Sequence, residues 1–385
     1  MGRSWHWGLV FLLSVSGALA AGDGARTLVP ERNPVLAAIP DHVAFDLGAY
    51  QCEPWPICAT NTAYSGMVYD DERHRILLFG GGHAATYRDD VEEFDFSSLR
   101  WTQAYPPTPC KERTLDNVDR ERALWISSGH PISRHSYDLL AMAGRPSELW
   151  MLARMQGRGR GCNQLPPVSD DEASPYVIAR GSFAAYQPDT GRWRFTDTPA
   201  VGFETGAETD PVSGRILLVS HSEGIGSVDP VDGRYTVHVA IDEPDLRTGK
   251  GVSLVYFPPN DRFYAIALTS RAPGVWEVHF DRENPAASSI RRLADLDLPR
   301  APVTEAWAYD AANHLIGGGV RGGRIFAFDP LAKRWHERRM KSSNPELAIG
   351  TLDGKALAYD PVHGLYIFRT SYDSGRRTWA YRWGG

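Results

Sequence analysis

One short turn recurs along the chain and limits what it can fold into. It reads Asp210-Pro-Val-Ser-Gly, Asp229-Pro-Val-Asp-Gly and Asp360-Pro-Val-His-Gly. Looser copies begin at Tyr69, Gln187, Tyr309 and Asp329. Asp can accept from the backbone ahead, Pro presets φ, and Gly supplies the left-handed conformation. Each copy stands between two apolar or alternating runs, so each predicts a β-hairpin. Seven such turns spread along the chain describe a repeated β unit.

Two further signals share that period. An aromatic residue precedes a tryptophan by seven positions at Phe94 and Trp101, at Tyr186 and Trp193, and at Phe328 and Trp335; Val228 and Tyr235 form a weaker copy. Such an offset across a tight hairpin can bring two rings into one layer. Glycine clusters end apolar runs at 80–82 and 317–319. Glycine pair, spaced aromatic and tryptophan together resemble the kelch repeat. That resemblance implies an all-β fold, a β-propeller of four-stranded blades around a channel. Six units are expected, over 62–104, 133–197, 203–240, 250–296, 302–340 and 351–383. The last shows three strands only, and 42–50 reads as the missing fourth, so an N-terminal strand would close the ring and leave no open edge. Seven blades is the alternative, with 106–131 as the place for a degenerate blade. A short helix is expected around 111–124.

Residues 1–20 read as a secretory signal: Arg3, an apolar run over 9–15, and Ala18-Leu19-Ala20 before a cleavage point near Ala20. Residues 21–40 then form a linker and 41–385 a single propeller domain. The protein is expected to be secreted or periplasmic and a monomer, and no segment is long enough to span a membrane. Four cysteines in an oxidising compartment suggest two disulfides, Cys52–Cys58 and Cys110–Cys162 being the preferred pairing of three. Their spacings are not those of zinc ligands, and no metal or cofactor is expected. A formal charge of −6 without a basic stripe argues against nucleic acid.

The repeat plan also sorts the loops. In a propeller the loops from second to third strand share one face with the links between blades. The long loops all fall on that face; the Asp-Pro turns fall on the other. Function is expected on the elaborated face. His74, His314 and His363 sit in the short turns and read as structural. His83, His130, His135 and His221 map to the elaborated face. His83 follows three glycines, where backbone can approach a ligand, and Tyr87 and Arg88 follow it. Ser133-Arg134-His135-Ser136-Tyr137 is expected to open the innermost strand of the second unit, with His135 and Tyr137 on one strand face. Lys250 and Glu305 begin other innermost strands, and Arg271, Arg321 and Tyr372 lie in flanking loops. The plain alternatives are a glycine pair with His83 packed beside it, a polar inter-blade network at Arg134, and a solvated rim of mixed charge.

Two functions follow. The first is a binding module that holds a glycan, an acidic group or an extracellular protein on the elaborated face. The second rests on a resemblance of the His83 loop and the Arg134–Tyr137 stretch to propeller polysaccharide lyases of the ulvan-degrading type. That resemblance implies that Arg134 neutralises a uronate carboxylate while His83, His135 or Tyr137 move the proton. The sequence has no Gly-x-Ser-x-Gly elbow, no phosphate-binding loop and no sialidase turns. A copper radical site would need a cysteine free to pair with tyrosine.

Overall fold

The computed structural model describes residues 30–49, 64–81, 88–155, 181–246, 252–268, 272–298, 306–370 and 377–385. The chain divides into two units, Met1–Glu31 and Arg32–Gly385, and the second carries everything below. It is nearly all β, with several four-stranded antiparallel sheets compatible with a multi-blade propeller.

Among the described residues the strands fall into successive sets along the chain: four form separate four-stranded antiparallel sheets, and the first and last sets are joined in one nine-stranded sheet. The first has strands Gly66–Asp70, Arg75–Phe79, Glu92–Asp95 and Arg100–Gln103. The second to fifth begin with Leu140–Ala143, Gly206–Thr209, Ser253–Phe257 and Trp307–Asp310. The sixth has Leu352–Asp360, Leu365–Thr370 and Arg377–Tyr381, and its outer strand is Val43–Ala49 from the other end of the chain. Each first strand lies against the first strand of the next unit, and that of the sixth against that of the first.

The sheets are covered on both faces, because the apolar clusters lie between neighbouring sheets. One gathers Leu77, Leu149 and Leu218 from the first three units; another gathers Leu254 and Leu217. Second strands therefore read as near-continuous apolar runs, such as Ile76-Leu-Leu-Phe79 and Ile216-Leu-Leu-Val219, every residue of which is buried. The seven-residue aromatic offset is a direct cross-strand pairing. Phe94 faces Trp101, Tyr186 faces Trp193 and Phe328 faces Trp335, with ring centroids 5.3, 5.4 and 5.0 Å apart. The glycine clusters serve close approach. A Cβ on Gly318 would stand 1.9 Å from the Ala306 carbonyl oxygen, and one on Gly80 2.5 Å from that of Arg134.

The Asp turns do more than turn the chain. Asp70, Asp210, Asp310 and Asp360 end first strands and are fully buried. Asp210 accepts from Arg282 of the fourth unit at 2.8 Å, Asp310 from the Tyr359 hydroxyl of the sixth at 2.8 Å, and Asp360 lies 3.4 Å from His74 of the first. Arg73, which bonds Asp70, also bonds Asp189 of the second unit at 2.7 Å. Each aspartate thus serves its own turn and ties its sheet to the next. Burial works against the Asp210 charge, but bonds from Arg282 and Ser213 hold its carboxyl below the usual value.

Two expectations need correction. No helix forms at 111–124. The stretch has two 3-10 turns, Cys110–Glu112 and Leu115–Asn117, then a small sheet of Val118–Asp119, Leu124–Trp125 and His130–Pro131. Val118, Ala123, Trp125 and Ile132 bury against Met155, a spacing that suits extended backbone. The first strand of the second unit begins at Leu140 and not at Ser133, because Tyr137 takes φ 40°, outside strand geometry. Residues 33–39 pack on the domain: Leu36 and Ile39 are buried, and Arg382 donates to the Leu36 and Ile39 carbonyls.

Arg282→Ala should destabilise the fold by about 3 kcal/mol, since it leaves the buried Asp210 charge without its partner. Arg234→Ala, which removes an exposed pair with Asp232 at 3.9 Å, should cost under about 0.5 kcal/mol. Urea unfolding of both variants makes the check; equal losses would defeat the clamp.

Candidate functional site

At the starting ends of the first strands, four rings gather. Tyr64 precedes the first unit's strand Gly66–Asp70, His135 and Tyr137 precede the second's, and Phe203 precedes the third's. Tyr64 stacks on His135 at 4.5 Å and 24°, and lies 5.4 Å from Tyr137. Tyr137 meets His135 edge-on at 5.8 Å and stacks on Phe203 at 5.6 Å and 24°. The Arg154 guanidinium sits 5.7 Å from the Phe203 ring centre. Tyr137 is 7% exposed, whereas Tyr64, His135, Phe203 and Arg154 are half-buried. The result is a partly open aromatic surface with a cation at its edge.

The backbone beneath is held tightly. Tyr64 and Tyr137 take φ 65° and 40°, which few residues with side chains adopt. The Tyr64 carbonyl accepts from Ser136 and Tyr137 N–H at 2.9 and 3.1 Å. The Ser136 hydroxyl donates to the Phe79 carbonyl at 2.7 Å and accepts from Gly66 N–H at 2.8 Å. Neighbouring units thereby fix the unusual backbone.

The structure separates the other residues selected from sequence. Arg134 is fully buried and donates to the carbonyls of Ile132, Ala153 and Ala123 at 3.0, 3.1 and 2.8 Å. Burial pulls its pKa down to about 9. It holds loops together through these bonds. Arg88 is also buried, paired with Asp90 and with Glu92, which Arg369 holds from the sixth unit at 2.7 Å. Burial works to raise the Glu92 carboxyl, but Arg369 and Arg88 override it and hold it low. His221 is half-buried, and its Nδ1 has no hydrogen-bond partner. Arg321 is exposed. His83, Tyr87, Lys250, Arg271, Glu305 and Tyr372 lie outside the described residues, as do Cys52, Cys58 and Cys162. Cys110 carries no free thiol. Tyr64, Phe203 and Arg154 were missed from sequence. The available signal was positional: Tyr64 and Phe203, like Tyr137, stand just before a first strand.

Two other polar clusters are structural. Asp89 is buried and accepts from Thr108 N–H at 2.9 Å and from Arg113 at 3.2 Å, with His130 Nδ1 3.4 Å away; it anchors the excursion after the first unit. His74, Asp360 and His363 place potential ligand atoms within 4.8 Å of one another. Yet His363 Nε2 accepts from Asn33 N–H at 2.9 Å, and its Nδ1 bonds Asp360. Both ring nitrogens are engaged, so the cluster lacks the ligands a metal would need. It latches the N-terminal segment to the sixth unit.

A cavity of about 410 Å³ lies among all six first strands. Tyr69, Tyr256, Tyr309 and Tyr359 line it, with Asp71, Asp138 and Glu208. Asp138 accepts from Leu254 N–H at 2.7 Å and Ser253 Oγ at 3.1 Å. Burial, with the nearby Asp138 charge, pushes the Glu208 carboxyl up to about 8.

No family model and no curated protein matches the sequence. Distant propeller-like solved structures match the fold. One is an auxiliary nutrient binding protein from Bacteroides thetaiotaomicron VPI-5482, with TM-score 0.50 and 10% identity, covering 83% of this chain and 68% of that one. Another is a protein of unknown function from the same organism, with TM-score 0.51 and 11% identity, covering 88% and 74%. A third is a gluconolactonase from Xanthomonas campestris, at TM-score 0.47 and 10% identity, covering 84% and 87%. At such identities the likeness is one of fold.

His74 predicts a pH dependence. Burial lowers its pKa below the ordinary 6.5, with Asp360 opposing. The unfolded chain then binds a proton that the folded chain resists, so this contribution is complete above pH 6.5 and is lost as pH falls below it. His74→Phe, which keeps a ring against Phe96 (now 4.5 Å away), should reduce the loss of stability between pH 7 and 5, by at most about 1.4 kcal/mol per pH unit. Urea midpoints across that range give the answer; parallel curves would exclude the assignment.

Proposed function

We propose that this chain is an exported, monomeric, kelch-like propeller of six blades, closed by its N-terminal strand, that binds a glycan on the Tyr64, His135, Tyr137 and Phe203 surface. One observation carries the reading: three separate units bring four rings to one place and leave three of them half exposed. Sugar rings present flat C–H faces that pack on aromatic rings, and their hydroxyls suit the imidazole, phenol and guanidinium edges. Arg154 beside Phe203 favours a glycan bearing an acidic group.

Export rests on the leader pattern of residues 1–20. Among the described residues no helix is long and apolar enough to cross a membrane. Disulfides Cys52–Cys58 and Cys110–Cys162 belong to the same proposal, as does a contribution of His83, Tyr87, Lys250, Arg271, Glu305, Arg321 and Tyr372 to the rim.

The lyase reading keeps one supporting observation, the 5.8 Å approach of His135 and Tyr137. It loses Arg134 as the group that neutralises the carboxylate. Arg154 is the cation beside these rings, and it would take that role.

Calorimetry of the mature protein against neutral and uronic-acid oligosaccharides tests the proposal. His135→Ala and Phe203→Ala should each weaken a bound glycan about tenfold, the loss of one stacked ring at roughly 1.4 kcal/mol. A glycan that binds both variants as tightly as the wild type would remove the site. The same uronic-acid polymers, followed by ultraviolet absorbance, separate the two readings. An unsaturated product that disappears in His135→Ala supports the lyase; a flat trace with intact binding supports the binding module.

A further inference from the structure

The cavity between the six first strands lies apart from the aromatic surface and reaches the Asp-turn ends of those strands. Its composition is one-sided. Among the described residues no lysine, arginine or histidine lines it, while Asp71, Asp138 and Glu208 do. Tyrosines from four different units surround it, at Tyr69, Tyr256, Tyr309 and Tyr359. Three of their hydroxyls are engaged by turn residues: Tyr256 donates to Asp261 at 2.9 Å, Tyr359 to Asp310 at 2.8 Å, and Tyr309 bonds His314 at 2.8 Å. Those hydroxyls are committed to the turns, which leaves the rings as what these residues offer. Trp307 also lines the cavity. It is 6% exposed.

We propose that this cavity binds a small organic ammonium ion. Aromatic rings and a carboxylate together are what attract an organic cation. The volume suits a small molecule. A metal ion fits less well. Calcium needs six to eight oxygen ligands, and Asp138 already accepts from Ser253 and Leu254 while the remaining wall is mostly rings and aliphatic carbon. Neither the glycan nor the lyase reading uses this site.

The Glu208 carboxyl, raised to about 8, adds a linked effect. The titratable groups lining the cavity beside it are Asp71, Asp138 and the four tyrosines. An empty site at pH 7 holds a proton on Glu208. A bound cation favours the carboxylate, so binding should release a proton and tighten as pH rises from 6 to 9.

Calorimetry of the whole mature protein tests this, with choline as probe, 3,3-dimethylbutanol as its neutral counterpart, and calcium chloride as a third arm. Choline should bind at least tenfold more tightly than the neutral alcohol. Glu208→Gln should weaken it at least tenfold while the urea midpoint does not fall. Wild-type titrations in buffers of different ionisation enthalpy should show proton release at pH 7, a readout that stands even if the variant does not fold. No choline binding at millimolar concentration, equal binding of the alcohol, calcium binding in place of choline, or no proton release would each overturn the proposal.

Discussion

The buried turn aspartates are the constraint on which the rest of the structure depends. A sheet of four short strands cannot hide both faces by itself, so each unit is stable only against its neighbours. Apolar clusters supply most of that attraction, but they are non-directional. Asp70, Asp210, Asp310 and Asp360 add direction. Each closes its own hairpin, and each is tied to the following unit by an arginine, a tyrosine or a histidine. A buried carboxylate tolerates little displacement of its partner, so these ties define how one sheet sits on the next.

That arrangement explains where chemistry can collect. First strands run side by side around a common space. Their Asp-turn ends are committed to clamps. Their starting ends are free of that duty and carry irregular backbone, at Tyr64 and Tyr137, held in place by bonds between units. A rigid frame with unusual backbone at one end can present rings from three units as one surface. The space between the strands stays open because six strands packed side by side leave more room than their inward side chains fill.

Much of the fold was legible in the amino-acid order. Turn chemistry marked the hairpins, and the seven-residue aromatic offset marked strand pairs that prove to be in direct register. The strand Val43–Ala49 pairs with Arg377–Tyr381, in the unit that the sequence left one strand short. The segment at 111–124 misled because its polar and apolar residues mimic a helix while their burial depends on Met155, beyond the reach of a local pattern. The site was half legible. His135 and Tyr137 were placed by counting along the repeat. The same count cannot tell a side chain that faces a ligand from one that turns inward to three carbonyls, as Arg134 does.

The sequence by itself determined the unit, its turns, its cross-strand aromatic pairs and the order of the sheets, because those depend on residues within one hairpin of each other. Only the tertiary structure decided that Tyr64, His135, Tyr137 and Phe203 meet, that Arg134 and Arg88 are buried, and that three carboxylates and four tyrosines share one cavity. These juxtapositions join residues of different units. They are set by how whole sheets pack around the centre, a relation that no local spacing encodes.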